Sequence, residues 1–323
     1  MKRLVFGVFF FLSLSFLYGE QDTPKKTYEQ WFTGPLFAPL AITPDPAHPG
    51  IEVTYGVTNT YGFYDSDWKL KNASDIWTLY NYVDFQAGFN PIVGIEFLGS
   101  WVSNFKEGRN SVRIQDTIFR LGFQILNTEN NHTLIPNFRI IIQETFPTGN
   151  YQKLNPKKKG TDLTGLGSFQ TGIFLSLQKL YHLSGKHKFE TRFSLGYFVP
   201  SNVKVKGLNA YGGGTKTEGT VHPGHYITCY LSGEYNLNDR WALGFDANYQ
   251  HNFSGNFLGE KGFTRNGLPA QITVPLMDQF TIAPELEHTF SENTGILLGI
   301  WFSVVGRNVP AFRSVFIAIL HIF

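Results

Sequence analysis

Over residues 240–250 the chain alternates, one residue at a time, between two faces. Trp241, Leu243, Phe245, Ala247 and Tyr249 occupy one, and Arg240, Ala242, Gly244, Asp246, Asn248 and Gln250 the other. Side chains of an extended strand point to opposite faces in turn, whereas a helix would scatter these residues around its circumference. The split recurs in residues 188–199, where Phe189, Phe193, Leu195, Tyr197 and Val199 oppose Lys188, Glu190, Arg192, Ser194 and Gly196. It recurs again in residues 51–61, where Ile51, Val53, Tyr55 and Val57 oppose Glu52, Thr54, Gly56 and Thr58. Residues 93–101, 117–125, 169–177, 227–237 and 280–290 repeat it less purely, and weaker runs cover 76–89, 137–146, 296–307 and 312–323. Together these make about twelve strands of roughly ten residues, an even number at bilayer-spanning length.

A large apolar face on every strand must be covered. An ordinary secreted sandwich would need a second sheet for Phe189, Phe193, Leu243 and Phe245, yet here the same face recurs all round. A closed barrel in lipid solves the problem, because each strand satisfies its backbone through its neighbours while the apolar face meets hydrocarbon. Beyond the first twenty residues no stretch approaches ~18 consecutive apolar residues, which excludes helical spans. The expected fold is therefore all-β, a transmembrane antiparallel up-and-down β-barrel of about twelve strands.

The N-terminus sets the compartment. Lys2 and Arg3 precede an apolar run over residues 4–17, too short to span as a helix and of the length of a signal-peptide core. Residues 1–19 are expected to be a signal peptide cleaved after Gly19, and the absence of a cysteine after the run argues against a lipid anchor. Residues 20–50 follow as a segment containing Pro35, Pro39, Pro44, Pro46 and Pro49, too proline-rich for a central strand, that would lie in the periplasm or fold into the lumen as a small plug. Residues 51–323 form the barrel.

Loop lengths give an independent signal, since outer-membrane barrels alternate short periplasmic turns with longer outer loops. Gaps at residues 59–74, 150–165, 200–225 and 251–275 are long, and those at 90–91, 181–186, 236–239 and 291–293 are short and share one end. Residues 106–110, 127–133 and 307–310 fit the rule less well. The run of Lys157, Lys158 and Lys159 at a loop tip is a solvated charge run or, more sharply, a contact with anionic lipid headgroups. The chain ends on an apolar strand and Phe323, the kind of terminus read by barrel-insertion machinery. All of this places the protein in the outer membrane of a Gram-negative bacterium, with membrane lipid as a partner.

Composition excludes several functions. Only 16% of residues are charged, and 27 Lys plus Arg against 25 Asp plus Glu leaves no basic face for nucleic acid. The single cysteine, Cys229, rules out an intramolecular disulfide and multi-cysteine metal sites, and it shares the apolar face with Ile227 and Leu231. His222 and His225 lack a metal-binding helix, and on a strand the three-residue offset of His251 and Ser254 separates base from nucleophile. No catalytic residues, metal site or cofactor are expected.

Selectivity then rests on the inward face, which carries both signs. Asp116, Arg120, Arg139, Glu190, Arg192 and Asp246 are the candidate lumen-lining residues, accompanied by Glu52, Asp84, Glu96, Lys188, Glu234, Glu285 and Glu287. Such charges either pair across the lumen and plug it or line a narrow aqueous path. Inward Tyr80, Tyr82 and Phe198 could contact an aromatic body.

Three segments resemble a known family. QDTIFRLGFQIL from Gln115, ETFPTGN at residues 144–150 and TGLGSFQTGIFLSLQKL at 164–180 are similar to proteins of the MetA pathway of phenol degradation, in which a strand ends in a Pro-Thr-Gly turn, a polar loop follows and a Gly-rich stretch opens the next strand. FTGPLFAPLAITPDPAHPG at residues 32–50 resembles the lead-in to the first strand of that family. Asp116 matches within a motif that often carries Gly-Asp. The resemblance implies an outer-membrane protein, a channel or uptake route for small aromatic compounds. The expected function is passive passage of small solutes, including aromatic or hydrophobic ones, with a closed structural or surface-interaction barrel as the alternative and an outer-membrane hydrolase third.

Overall fold

The computed structural model describes residues 32–34, 37–128, 134–183 and 185–323, so the expected signal peptide lies outside the described residues. Within them the alternating segments are strands: β1 (Gly50–Tyr64), β2 (Leu70–Gly88), β3 (Val93–Lys106), β4 (Arg109–Ile114), β5 (Thr117–Leu126), β6 (Asn137–Phe146), β7 (Gln170–His182), β8 (Lys188–Pro200), β9 (Val203–Lys206), β10 (Glu218–His222), β11 (Tyr226–Asn236), β12 (Trp241–Asn252), β13 (Asn256–Glu260), β14 (Met277–Thr289), β15 (Thr294–Arg307) and β16 (Val309–Ile322). Thirteen of them join edge to edge and close on themselves. β4 and β5 pair with the two halves of β3 and act as one interrupted stave, so the wall has twelve places, as the sequence predicts. Closure is antiparallel throughout, with β1 pairing β16 from Gly50↔Ile322 to Tyr64↔Val309.

The wall is inside-out relative to a water-soluble protein. Leu243 and Phe245 are 47% and 44% exposed on its outer surface, whereas Ala242 and Asp246 on either side of them are buried at 0% and 1%. An apolar band this continuous needs lipid against it. Phe189, Phe193, Leu195, Tyr197 and Val199 continue the band on β8.

The two ends of the cylinder differ. Short turns and the C-terminus share one end, and the longer connections crowd the other. There β9, β10 and β13 form a separate three-stranded sheet. Its core is Val203, Val205, Val221 and Ile272, flanked by Tyr151, Tyr211, Phe257 and Val274. This lid is where the two longest expected loops went. Burial in it pushes the Tyr211 phenol up to about 12, and the hydroxyl donates to the Leu166 carbonyl (2.9 Å). Lys158 Nζ donates to the Asn110 carbonyl (2.7 Å) and Lys159 pairs with Glu107, tying the lysine run down to the β3–β4 turn.

One expected loop is not a loop. Residues 59–74 are mostly paired strand, with β1 continuing to Tyr64 and β2 resuming at Leu70 after a five-residue turn, residues 65–69. The ladder outlasts the alternation because, above the membrane, both faces of the hairpin meet water and neither must be apolar. The stretch Leu70–Asp75 is exposed at every position. Opposite it, β15 passes to β16 through Asn308 alone, at φ 55°, a left-handed conformation that Asn tolerates.

Candidate conduction path

An extended segment, residues 32–34 and 37–49 among those described, crosses the interior of the cylinder before β1 begins. A chain with no strand partner must have its backbone groups satisfied otherwise, and here the inward side chains of the wall do it. Carboxylates accept from the first part: Glu287 Oε2 from Thr33 N and Oγ1 (2.9 and 2.8 Å), Glu234 Oε1 from Gly34 N (3.1 Å) and Asp246 Oδ2 from Phe37 N (3.1 Å). Amides and guanidinium groups serve the rest. Ala41 N and Thr43 N donate to Gln178 Oε1 and Gln124 Oε1 (3.4 and 2.7 Å), and Gln124 Nε2 donates back to the Ala41 carbonyl (3.0 Å). Arg192 Nη1 donates to Ala38 O (3.1 Å), and Arg139 Nη1 to Leu40 O and Ile42 O (3.2 and 3.1 Å). Arg139 lies flat on the wall because Gly122 is beneath it, where a Cβ would overlap the guanidinium. The Phe37 ring packs on Trp301, centroids 4.6 Å apart. The segment is thus a strap fastened around the interior.

Two cavities flank the middle of the lumen. The first, about 600 Å³, lies towards the lid and is lined by Phe174, Phe198, Tyr226 and Tyr230 with Gln143, Gln170, Asp116 and Leu163–Leu166 among its other walls. The second, about 1010 Å³, lies towards the short turns and is lined by strap residues together with Glu52, Asp84, Glu96, Gln178, Glu190 and Arg192. Tyr82 and Arg120 border both. Arg120 is held there by an ion pair with Glu96 and by donating Nε–H to Gln143 Oε1 (2.7 Å). The two chambers therefore share one phenol and one guanidinium in their walls.

The aromatic side of the outer chamber is built as a unit. Phe198 and Tyr226 stack at 4.6 Å and 4°, Phe174 meets Phe198 edge-on at 5.2 Å, and Arg120 sits 5.8 Å above the Phe174 ring. Tyr226 donates its hydroxyl to Gln170 Oε1 (2.8 Å).

Asp116 shapes the chamber differently. In the break between β4 and β5 its carboxylate accepts from Gly149 N (2.9 Å) and Leu166 N (3.0 Å). It thereby clasps the Pro-Thr-Gly turn and the Gly-rich stretch into one inward-folded loop. Gly149 and Gly165 face each other across that clasp, and a Cβ on either would run into the other's backbone.

The six candidate lumen residues thus divide. Asp116 and Arg120 line the outer chamber, and Arg120, Glu190 and Arg192 the inner one. Arg139 and Asp246 border neither chamber, since the strap covers both. Arg192 is shared among Glu190 (3.3 Å), Gln178 (3.0 Å) and the strap. Phe174, Tyr226, Tyr230, Gln124 and Gln178 escaped the sequence reading. An aromatic residue in the polar phase of the alternation was the available signal for the first three.

The histidines hold local structure. His222 bonds Asn202 (2.8 Å), His225 bonds Tyr197 (2.8 Å), and His251 bonds Asp278 (2.7 Å), which Tyr249 and Arg307 also contact on the outer surface.

No family model matches the chain, and no curated protein matches it. Among solved structures, the COG4313 outer membrane channel from Pseudomonas putida F1 superposes with a TM-score of 0.64 at 12% identity, over 91% of this chain and 100% of that one. The fold is that of an outer-membrane β-barrel. Looser likenesses include the NanC porin (TM-score 0.41, 11% identity, 84% of this chain and 98% of that one) and the TodX monoaromatic hydrocarbon channel mutant (0.38, 10%, 85% and 90%).

Proposed function

We propose that the protein is a passive channel for small solutes in the outer membrane of a Gram-negative bacterium. The observation that carries this reading is the pair of chambers, about 600 and 1010 Å³, that meet at Tyr82 and Arg120 instead of a filled core. Eight-stranded barrels are wide enough only for their own side chains or a small ligand, and twelve places leave room beyond that. The side chains common to both chambers are one aromatic residue, Tyr82, and one ion-paired residue, Arg120.

The solute class follows from the walls. Stacked and edge-on rings of Phe174, Phe198 and Tyr226 offer planar contact to a ring of similar size, and Gln143 and Gln170 offer hydrogen bonds beside them. Small aromatic compounds fit this lining, in line with the resemblance of residues 115–180 to proteins of the MetA pathway of phenol degradation. The competing reading, a closed structural barrel, draws on the strap and the Arg120–Glu96 pair. Liposome swelling with phenol-sized aromatics, small sugars and amino acids tests both. Swelling that is fastest with aromatics supports the channel, and none with any solute favours the closed barrel.

A further inference from the structure

Three carboxylates, Glu52, Asp84 and Glu96, come from neighbouring strands β1, β2 and β3 to line the inner chamber. Glu96 is neutralised by Arg120. Glu52 and Asp84 have no such partner and stand directly opposite each other in the β1–β2 register, an arrangement in which like charges repel. Each has one local donor: Thr54 Oγ1 to Glu52 Oε1 (2.9 Å) and Gln86 Nε2 to Asp84 Oδ2 (2.8 Å). Asp84 is only 6% exposed, and its Oδ1 has no hydrogen-bond partner among the described residues. A buried carboxylate oxygen with no donor is costly to keep. A cation in the adjoining space would offset that cost at Asp84 and the repulsion between the two carboxylates.

We propose that Glu52 and Asp84 form a cation-binding subsite of the inner chamber, taking a compact monovalent cation, either an alkali ion or the primary ammonium group of a solute. Two carboxyl groups on one wall of a 1010 Å³ chamber, neither in a salt bridge with a cationic side chain among the described residues, offer oxygen ligands to such a cation. They do not supply the closed oxygen cage of a calcium site, and among the described residues no acidic or histidine cluster converges on a metal ion. The positive side chains on the far wall are occupied, Arg192 by Glu190 and the strap. His48, which also borders the chamber, is bonded through Nδ1 to the Phe323 carbonyl (2.8 Å). Lys188, Asp45 and Glu292 border the chamber as well; the β1–β2 wall contributes negative charge to it, and fixed charge of this sign raises the local cation concentration.

The inference rests on the channel reading for its transport consequence and stands apart from it for binding, so the experiment has two arms. In planar bilayers, reversal potentials are measured in gradients of potassium chloride and of benzylammonium chloride. The comparison is between the parent protein and Glu52→Gln/Asp84→Asn, with Glu96 kept to preserve its pair. The parent should favour cations over chloride, and the double variant should lose at least about threefold of that preference. Loss for both salts assigns the subsite to either cation source, and loss for benzylammonium alone assigns it to a solute ammonium. In the second arm, rubidium-soaked crystals of both proteins are compared by anomalous scattering. A rubidium peak beside Asp84 in the parent that vanishes in the variant supports the subsite even if the parent conducts nothing, an outcome that would defeat only the channel reading. Equal selectivity in the two folded proteins, with no rubidium peak in the parent, overturns the subsite while leaving the channel intact.

Discussion

Glu96 on β3 and Arg120 on β5 stand directly opposite each other in the barrel register, and their side chains close an ion pair at the wall shared by the two chambers. Both are nearly buried, at 7% and 11% side-chain exposure. Removing one partner strands the other. Arg120→Ala should therefore cost about 3–5 kcal/mol in a reversible unfolding titration. Arg120→Ala/Glu96→Ala should recover most of that loss and show a larger single-channel conductance than the parent. A double variant as unstable as the single one would mean that the pair is not the source of the effect.

The orientation of the wall gives a second test. Phe245→Arg places a charge against lipid in mid-strand and should cost about 2–4 kcal/mol, whereas Asn248→Arg points into the lumen and should cost a small fraction of that. Unfolding in lipid vesicles measures both, and equal losses would contradict the assignment of the two faces.

Asp116 offers two lone-pair acceptors to Gly149 N and Leu166 N. Asp116→Ala leaves both N–H groups unmet, costing about 1–3 kcal/mol and freeing the inward-folded loop. Limited proteolysis should then cut within residues 147–169 faster than in the parent. Cleavage at parental rates would show that the clasp is not what holds the loop.

Arg139 carries two of the bonds that fasten the strap. Arg139→Met removes them, and amide hydrogen exchange over residues 38–43 should quicken by at least about tenfold, the factor that corresponds to ~1.4 kcal/mol. Conductance should rise in parallel. Faster exchange with unchanged conductance would detach the strap from any role in closing the lumen.

Topology is open to a direct check. Tags inserted at Lys158 and at Gly213 should bind antibody on intact cells, and a tag at Asn238 should bind only after permeabilisation. Labelling of Asn238 on unbroken cells would invert the barrel.

The wall was legible in the sequence because lipid imposes a strict rule on every second residue. Where the rule lapses, so does the reading: Leu70–Asp75 is strand exposed on both faces, without an alternating apolar face, and looks like a loop. The strap left the sequence undecided between periplasm and lumen. Its fastenings join residues as far apart as Thr33 and Glu287, 254 positions along the chain. Gln124 and Gln178 read as any inward polar residue until the partner segment is in place. The arginines illustrate the same limit. Their inward phase followed from alternation, but the burial of Arg139 beneath residues 40–42 depends on a segment that alternation does not describe.

The strap ends at Pro49, and β1 begins with the next residue. It is therefore an occupant that cannot diffuse away. A ligand supplied by so short a tether is present at an effective concentration in the millimolar range whatever the conditions outside. Dilution does not remove it, and a solute entering the inner chamber competes with it on unequal terms. A strap tethered in this way would return quickly after any release, and the strength with which it is held rests on the fastenings of Gln124, Arg139 and Arg192.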